Sequence, residues 1–330
     1  MSQTVVVTGA SAGVGRAAAV AFAARGDRVG LLARGSAGLA GALAEVERAG
    51  GTGLGVETDV ADHEAVEQAA ATIEAQLGPI DVWVNNAMAT VFAPFHEITA
   101  EEYRRSTEVT YLGTVHGTMA ALRRMRGRGA GTIVQVGSAL AYRGIPLQSP
   151  YCGAKHAIQG FTEALRCELL HEDSPVHVTM VQMPALNTPQ FGWSRNKMGK
   201  RPQPVPPIFQ PEVAARAIVW ASQHRRKEVY VGRSTVLAIV GDKLASAAAD
   251  RYLARTGYAS QLTDEPDDNG RPDNLLQPVD AETDRGMHGR FDDKASDGDP
   301  ETWFVTHRGL ATAAVASAGA AAVTWLARRR

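Results

Sequence analysis

Cysteine is nearly missing from this chain: two residues in 330, Cys152 and Cys167, are too few for a disulfide framework and fall in no Cys-x-x-Cys metal or redox pattern. Charge of one sign is missing as well. The 34 lysines and arginines stand against 35 aspartates and glutamates, a formal net charge of -1. No overall field therefore draws the protein onto nucleic acid, despite short basic runs at 123–128 and 224–227. The opening Met1-Ser2-Gln3-Thr4 lacks the basic segment and long apolar stretch of a secretory signal, which predicts a cytoplasmic protein. The nine histidines show no ligand spacing, and His63, His96 and His116 read as polar surface or core residues; no metal is expected.

What is present is the balance of a soluble globular protein, 45% hydrophobic and 21% charged. From Thr4 to about Gly232, short β-branched runs alternate with longer helical stretches, the pattern of repeated βαβ units. Strands are expected over 4–8, 28–32, 54–58, 82–84, 132–136, 176–182 and 228–231, each apolar enough to be covered on both faces. Helices are expected over 13–25, 36–49, 62–77, 100–126, 150–170 and 211–224, with Asp62 and Pro211 as start signals. The fold class is then α/β: one Rossmann-type doubly wound parallel sheet with helices on both faces, plus a C-terminal extension. Residues 184–210, rich in proline, read as a long functional loop carrying Phe191 and Trp193.

Three domains follow: a dinucleotide-binding catalytic unit over 1–258, an acidic linker over 259–302 and an Ala-rich C-terminal helix over 303–330. The linker holds too little apolar surface to offset its ordering entropy, so it is expected to be disordered or loosely docked. In the last segment, 309–327 holds no charge. As a helix that stretch would be about 28 Å long, close to a hydrocarbon core of about 30 Å, with Trp303 and Trp325 near its ends. Membrane association through this tail is one expectation. A small-residue helix packed on a partner is the other, because alanine and glycine drive insertion poorly.

Thr8-Gly9-Ala10-Ser11-Ala12-Gly13-Val14-Gly15 closes the first strand and opens the first helix. Glycines there let the backbone approach a pyrophosphate, and the helix N-terminus offers it free N–H donors. The second strand ends Leu32-Ala33-Arg34, with a guanidinium where an NAD site usually carries a carboxylate. That favours NADP(H): Arg34, assisted by Arg16, suits a 2′-phosphate. Tyr151 and Lys155 stand four apart on a predicted helix and so share a face, where the ammonium favours the phenolate and lowers the phenol's pKa. Ser138, at the end of the preceding strand, is placed to hold a substrate oxygen.

These residues resemble the classical short-chain dehydrogenases/reductases over roughly the first two-thirds of the chain. The likeness is carried by the Thr8–Gly15 turn, Asp59-Val60, Asn85-Asn86-Ala87, Ser138, Tyr151-Cys-Gly-Ala-Lys155, and Pro184 to Thr188. The resemblance implies that Asp59 bonds the adenine edge, that Asn85 and Asn86 steady the central strand and the adenosine ribose, that Lys155 also binds the nicotinamide ribose and that Thr188 touches the carboxamide. It implies hydride transfer between NADP(H) and a small-molecule carbonyl or alcohol, with Tyr151 as general acid and base and Ser138 positioning the oxygen. It also implies a homo-oligomer. Three positions depart from the family: Thr110 stands where the relay asparagine aligns, Met88 follows Asn-Asn-Ala, and Ala185 follows the active-site proline. A Thr110 hydroxyl is expected to hold the relay water with fewer bonds than an amide. Thr110 and Met88 also motivate the competing expectation of an NADP(H)-binding sensor or scaffold with little turnover. Cys152, adjacent to Tyr151 on the helix, points elsewhere and reads as a structural residue.

Overall fold

The computed structural model describes residues 2–268 and 270–299. The expected tail helix over 303–330 lies outside them, and among the described residues no helix is long and apolar enough to cross a membrane. Seven parallel strands form the central sheet: β1 (Thr4–Thr8), β2 (Arg28–Ala33), β3 (Thr52–Glu57), β4 (Val82–Asn85), β5 (Thr132–Val136), β6 (His177–Gln182) and β7 (Glu228–Tyr230). Their spatial order is β7-β6-β5-β4-β1-β2-β3. The chain reverses direction across the sheet between β1 and β4, and the crevice beyond the strand ends at that switch point is where a doubly wound sheet takes a ligand.

Alternation along each strand feeds two cores. On β1, Val5 and Val7 join Phe22, Leu31 and Ile218 on one face, while Val6 joins Ile73, Trp83, Ile133 and Leu165 on the other. Each such side chain, buried completely, contributes roughly 1.5–3 kcal/mol. The helices α1 (Gly13–Ala23), α2 (Ser36–Arg48) and α3 (His63–Leu77) begin and end within two residues of expectation. Asp62 caps α3 by accepting from the N–H groups of Glu64 and Ala65 at 2.9 and 3.1 Å. β3 corrects the expectation of fully covered strands: it is the edge of the sheet, and none of its residues is buried.

The long helix expected over 100–126 is two helices, α4 (Ala100–Thr107) and α5 (Gly113–Arg128), joined by a widened π turn at Glu108–Leu112. In that turn the Thr110 hydroxyl accepts from the Ala89 N–H at 3.0 Å and donates to the Ala89 carbonyl at 3.1 Å. A widened turn of this kind often marks a functional site. α6 (Ser149–His171) and α7 (Pro211–Gln223) match expectation, and α8 (Arg233–Thr256) was not anticipated. Its pattern is weak because only Thr235 and Ile239 are buried; Arg143 pins it through Asp242 and Asp250.

The acidic segment is docked, which corrects the expectation of disorder. Leu262–Pro266 pairs antiparallel with Lys200–Pro202, and Ala295–Ser296 pairs with Ile208–Phe209, which in turn pairs with Ala185–Leu186. Between these anchors it crosses the ends of β1 and β2 as a strap. Leu275 and Phe291 are 0% and 3% exposed, Phe291 packing edge-on against Phe191 at 6.0 Å. A few well-seated apolar side chains and many backbone bonds do what a continuous apolar face does elsewhere.

Candidate active site

A crevice of about 460 Å³ runs along the strand ends from the β1–β2 side to the loop after β5. Its floor is the first glycine turn. Gly9 has φ of +65°, and a Cβ on Gly15 would overlap the Gly9 carbonyl, so both positions require glycine. α1 starts there with no side-chain cap and no acidic residue in its first turn, so the N–H groups that follow Gly13 are available to an anion, while the Gly13 N–H itself donates to the Gly286 carbonyl at 3.4 Å. Ser11, Ala12, Gly13 and Val14 line it. Asn86 holds this turn in place: its Nδ2 donates to the carbonyls of Thr8 and Gly9 at 3.0 and 3.3 Å, and the Thr8 hydroxyl accepts from the N–H groups of Asn86 and Ala87. A pyrophosphate fits this cradle.

At the opposite end, Ser138, Tyr151 and Lys155 converge as expected. Ser138 and Tyr151 both line this end of the crevice, close enough for Ser138 to act on the phenol, and the Lys155 Nζ lies 5.5 Å from the centre of the phenol ring. Lys155 is 2% exposed and donates to the Val136 carbonyl at 2.6 Å. Burial draws its pKa down to about 8, because a low-dielectric surround disfavours the ammonium. Burial pushes the phenol of Tyr151 the other way, upward, and only the bond to Ser138 opposes it. The expected lowering of the phenol by its lysine is therefore not the dominant effect in this geometry. Ser138 is itself fixed: its N–H donates to Gln182 Oε1 at 2.8 Å and its Oγ accepts from the Leu140 N–H at 3.1 Å.

Other sequence candidates divide. Asp59, Val60, Asn86, Ala87, Met88, Pro184, Ala185 and Thr188 line the crevice. Asp59 accepts from the Ala61 N–H at 3.0 Å and pairs with Arg105. Asn85 does not reach the crevice: 3% exposed, it accepts from Trp83 Nε1 at 2.8 Å and donates to Thr118 and Gln135, which ties β4 to β5 and α5. Thr110 does not line it either; its hydroxyl donates to the Ala89 carbonyl and accepts from the Ala89 N–H. That corrects its expected place among the reacting groups. Cys152 is buried beside the Ile145 carbonyl, and burial pushes its thiol up, consistent with a structural residue. Among the described residues no cluster of three histidines, cysteines or carboxylates is arranged to hold a metal.

The two arginines assigned to a 2′-phosphate are both engaged within the protein. Arg16 is 2% exposed and pairs with Glu45 at 2.8 Å and with Asp284 of the strap at 2.5 Å. Burial disfavours its charge, but the two carboxylates outweigh burial and raise its pKa. Arg34 donates to the strap carbonyls of Asn274, Leu275 and Leu276, the last at 3.1 Å. Burial lowers the pKa of this guanidinium, with Asp59 and Asp280 partly offsetting it. The strap also supplies crevice residues that no motif announced: Asn274, Val279, Asp280 and, further along the wall, Gln261, whose Oε1 accepts from Gln148 at 2.7 Å.

The model of the short chain dehydrogenase family matches residues 3–198. An uncharacterized oxidoreductase of Bacillus subtilis, YxnA, is 32% identical over 99% of this chain and 91% of its own length, so that match runs through the strap. A 3-dehydrosphinganine reductase of Danio rerio is 32% identical over 65% of this chain and 67% of its own. Among solved structures, a short-chain dehydrogenase from Streptomyces avermitilis superposes with a TM-score of 0.65 at 27% identity, covering 79% of this chain and 99% of that one. An alcohol dehydrogenase from Thermococcus sibiricus, complexed with 5-hydroxy-NADP, gives 0.61 at 25% identity, covering 70% and 96%. With the parallel sheet, the glycine cradle and the Ser-Tyr-Lys set in place, the chain belongs to the short-chain dehydrogenase/reductase family and is an oxidoreductase.

Proposed function

We propose that the protein transfers a hydride between a nicotinamide dinucleotide and a carbonyl or alcohol, with Tyr151 as general acid and base. The observation that carries this reading is that Ser138, Tyr151 and Lys155 together line one end of a crevice whose other end is the glycine turn, with the Lys155 Nζ 5.5 Å from the centre of the phenol ring. When bound, the nicotinamide supplies the hydride in reduction and accepts it in oxidation. In reduction Tyr151 donates its proton to the carbonyl oxygen, while Ser138 donates a hydrogen bond to the same oxygen as negative charge develops on it. In oxidation the phenolate takes the alcohol proton. Lys155, one helical turn on and 5.5 Å from the centre of the phenol ring, favours that phenolate, because a nearby positive charge stabilises the ionised form.

The crevice lining mixes apolar side chains, among them Leu140, Ile145, Phe191, Trp193, Val205 and Leu253, with the polar Gln148, Gln203 and Gln261, which suits a carbonyl carried on a mainly apolar body. Of the two dinucleotides, NADP(H) is the one that Arg34 favours from the sequence, and one solved neighbour is complexed with 5-hydroxy-NADP. In the folded chain Arg34 is turned onto strap carbonyls, which weakens that support. The test is a panel of ketones and aldehydes, offered with NADH and with NADPH to wild type and Tyr151→Phe. The variant is expected to lose about 10²–10⁴-fold in kcat while binding the dinucleotide as before. Equal rates from both proteins would defeat the assignment of Tyr151, and tight dinucleotide binding with no turnover of any carbonyl would favour a sensor or scaffold.

A further inference from the structure

At the β1–β2 end of the crevice the strap replaces one chemistry with another. A 2′-phosphate on the adenosine ribose needs donors, and both arginines and the N–H groups of Ala37 and Gly38 are already used. Arg34 donates to the carbonyls of Asn274, Leu275 and Leu276. At the start of α2 the N–H groups of Ala37 and Gly38 donate to the carbonyls of Ala281 and Asp280 at 3.3 and 3.0 Å, and the Ser36 hydroxyl donates to Ala281 at 3.0 Å. Arg16 is closed by Glu45 and Asp284. What the strap presents instead is an acceptor. The carboxylate of Asp280 lies against the backbone of Gly35 and Gly38 and beside Ser11, so close that neither glycine has room for a Cβ. Asp280 is 8% exposed, lines the crevice together with Gly9, Ser11 and Ala33, and makes no side-chain hydrogen bond or ion pair among the described residues.

The charge of Arg34 acts on this carboxylate, yet its oxygens accept no hydrogen bond from the described residues, so a donor entering the crevice meets an acceptor there. The ribose of a dinucleotide whose pyrophosphate sits on the Gly9–Gly15 turn brings two hydroxyl donors to this end of the crevice. In Rossmann-type sites that read an unphosphorylated ribose, a carboxylate at the end of the second strand accepts from them. Here that strand ends in Ala33-Arg34, without a carboxylate. We infer that Asp280, delivered by the C-terminal strap, is the residue that reads the adenosine ribose, and that the protein therefore selects NAD(H) over NADP(H). Arg34 is a positioning residue in this arrangement: it holds the strap by three carbonyls and so sets where the carboxylate stands. A 2′-phosphate would meet that carboxylate as a like charge, with the Arg34 guanidinium already turned onto the strap carbonyls. The inference rests on the nicotinamide reading above, yet it concerns the end of the crevice remote from the reacting atoms.

Binding of NADH and NADPH to the full chain, followed by titration calorimetry, tests it. Wild type should bind NADH at least about tenfold more tightly, the factor set by one charge-assisted hydrogen bond. Asp280→Asn should weaken NADH by about tenfold while leaving NADPH unchanged or tighter, so that the preference narrows or inverts. Asp284→Asn loosens the Arg16 anchor without touching the ribose seat, and its NADH/NADPH ratio should stay within about twofold of wild type. A wild type that prefers NADPH, an equal loss of both dinucleotides in Asp280→Asn, or the same fall in ratio in Asp284→Asn would each overturn the role given to Asp280. Failure of wild type to bind either dinucleotide would instead remove the nicotinamide reading itself.

Discussion

At the catalytic end of the crevice the participants are near neighbours in the chain: Lys155 bonds a carbonyl nineteen positions away, and Ser138 and Tyr151 flank the same strand-to-helix connection. At the adenosine end the partners of Arg34 lie 240 to 242 positions away, in a segment that crosses over the completed sheet. The first end is built by local geometry, a strand end facing a helix whose i and i+4 positions share a face. The second is built by the return of the chain, and its chemistry is set by whatever side chains the strap carries. The two can therefore change independently: the reacting groups stay where the family fold puts them while the nucleotide reader is supplied from outside it.

Four changes sharpen that contrast. The largest effect is expected at the catalytic end: Ser138→Ala should lower kcat/KM by about 10²-fold or more, since a donor to the developing oxyanion is lost, with dinucleotide affinity unchanged. Steady-state kinetics with any turned-over carbonyl checks it, and a parallel loss of affinity would mean that the two ends are coupled. Next, Leu275→Ala should cost about 3 kcal/mol in chemical denaturation, because the strap side chain is fully buried in the core that α3 and α5 share. Unchanged stability would show that the strap is not docked as described.

A smaller effect comes from Lys155. Its pKa in the folded chain, about 8, lies below the 10.5 of the free side chain, so between those values the unfolded chain binds more protons and stability rises with pH. Wild type should gain on the order of 3 kcal/mol relative to Lys155→Met on going from pH 7 to above pH 10, and parallel stability curves for the two proteins would contradict the burial of the ammonium. The smallest effect is expected from Thr110→Val, about 1 kcal/mol of stability from the two bonds to Ala89 with little change in kcat. A loss of activity well beyond the loss of stability would return Thr110 to the proton path.

The same contrast explains what could be read from the residues alone. The seven strands, the glycine cradle and the Ser138/Tyr151/Lys155 set were legible because each depends on periodicity or spacing within a single βαβ unit. The break between α4 and α5 was not, because the pattern over 100–126 continues through the π turn, and what the widened turn serves is a contact of Thr110 with Ala89, 21 positions away. Arg34 was read correctly as a residue at the end of β2, but its bonds to the strap carbonyls were not foreseen, since nothing adjacent to it signals a strap. The strap was illegible for a compositional reason. Its acidic and glycine-rich sequence resembles a solvated linker, yet Leu275 and Phe291 are isolated anchors seated in surfaces formed by other segments, and Asp284 carries a charge matched by Arg16 far away in the chain.

The central claim, that Tyr151 and Ser138 serve a hydride transfer at one end of this crevice, is tested most directly by following the hydrogen itself. Reduced dinucleotide carrying deuterium at its transferable position is incubated with a carbonyl that wild type turns over, and the alcohol is examined by mass spectrometry. Wild type should place one deuterium on the carbinol carbon, and Tyr151→Phe should yield almost none over the same time. Alcohol formed without deuterium, or formed equally by both proteins, would contradict the account.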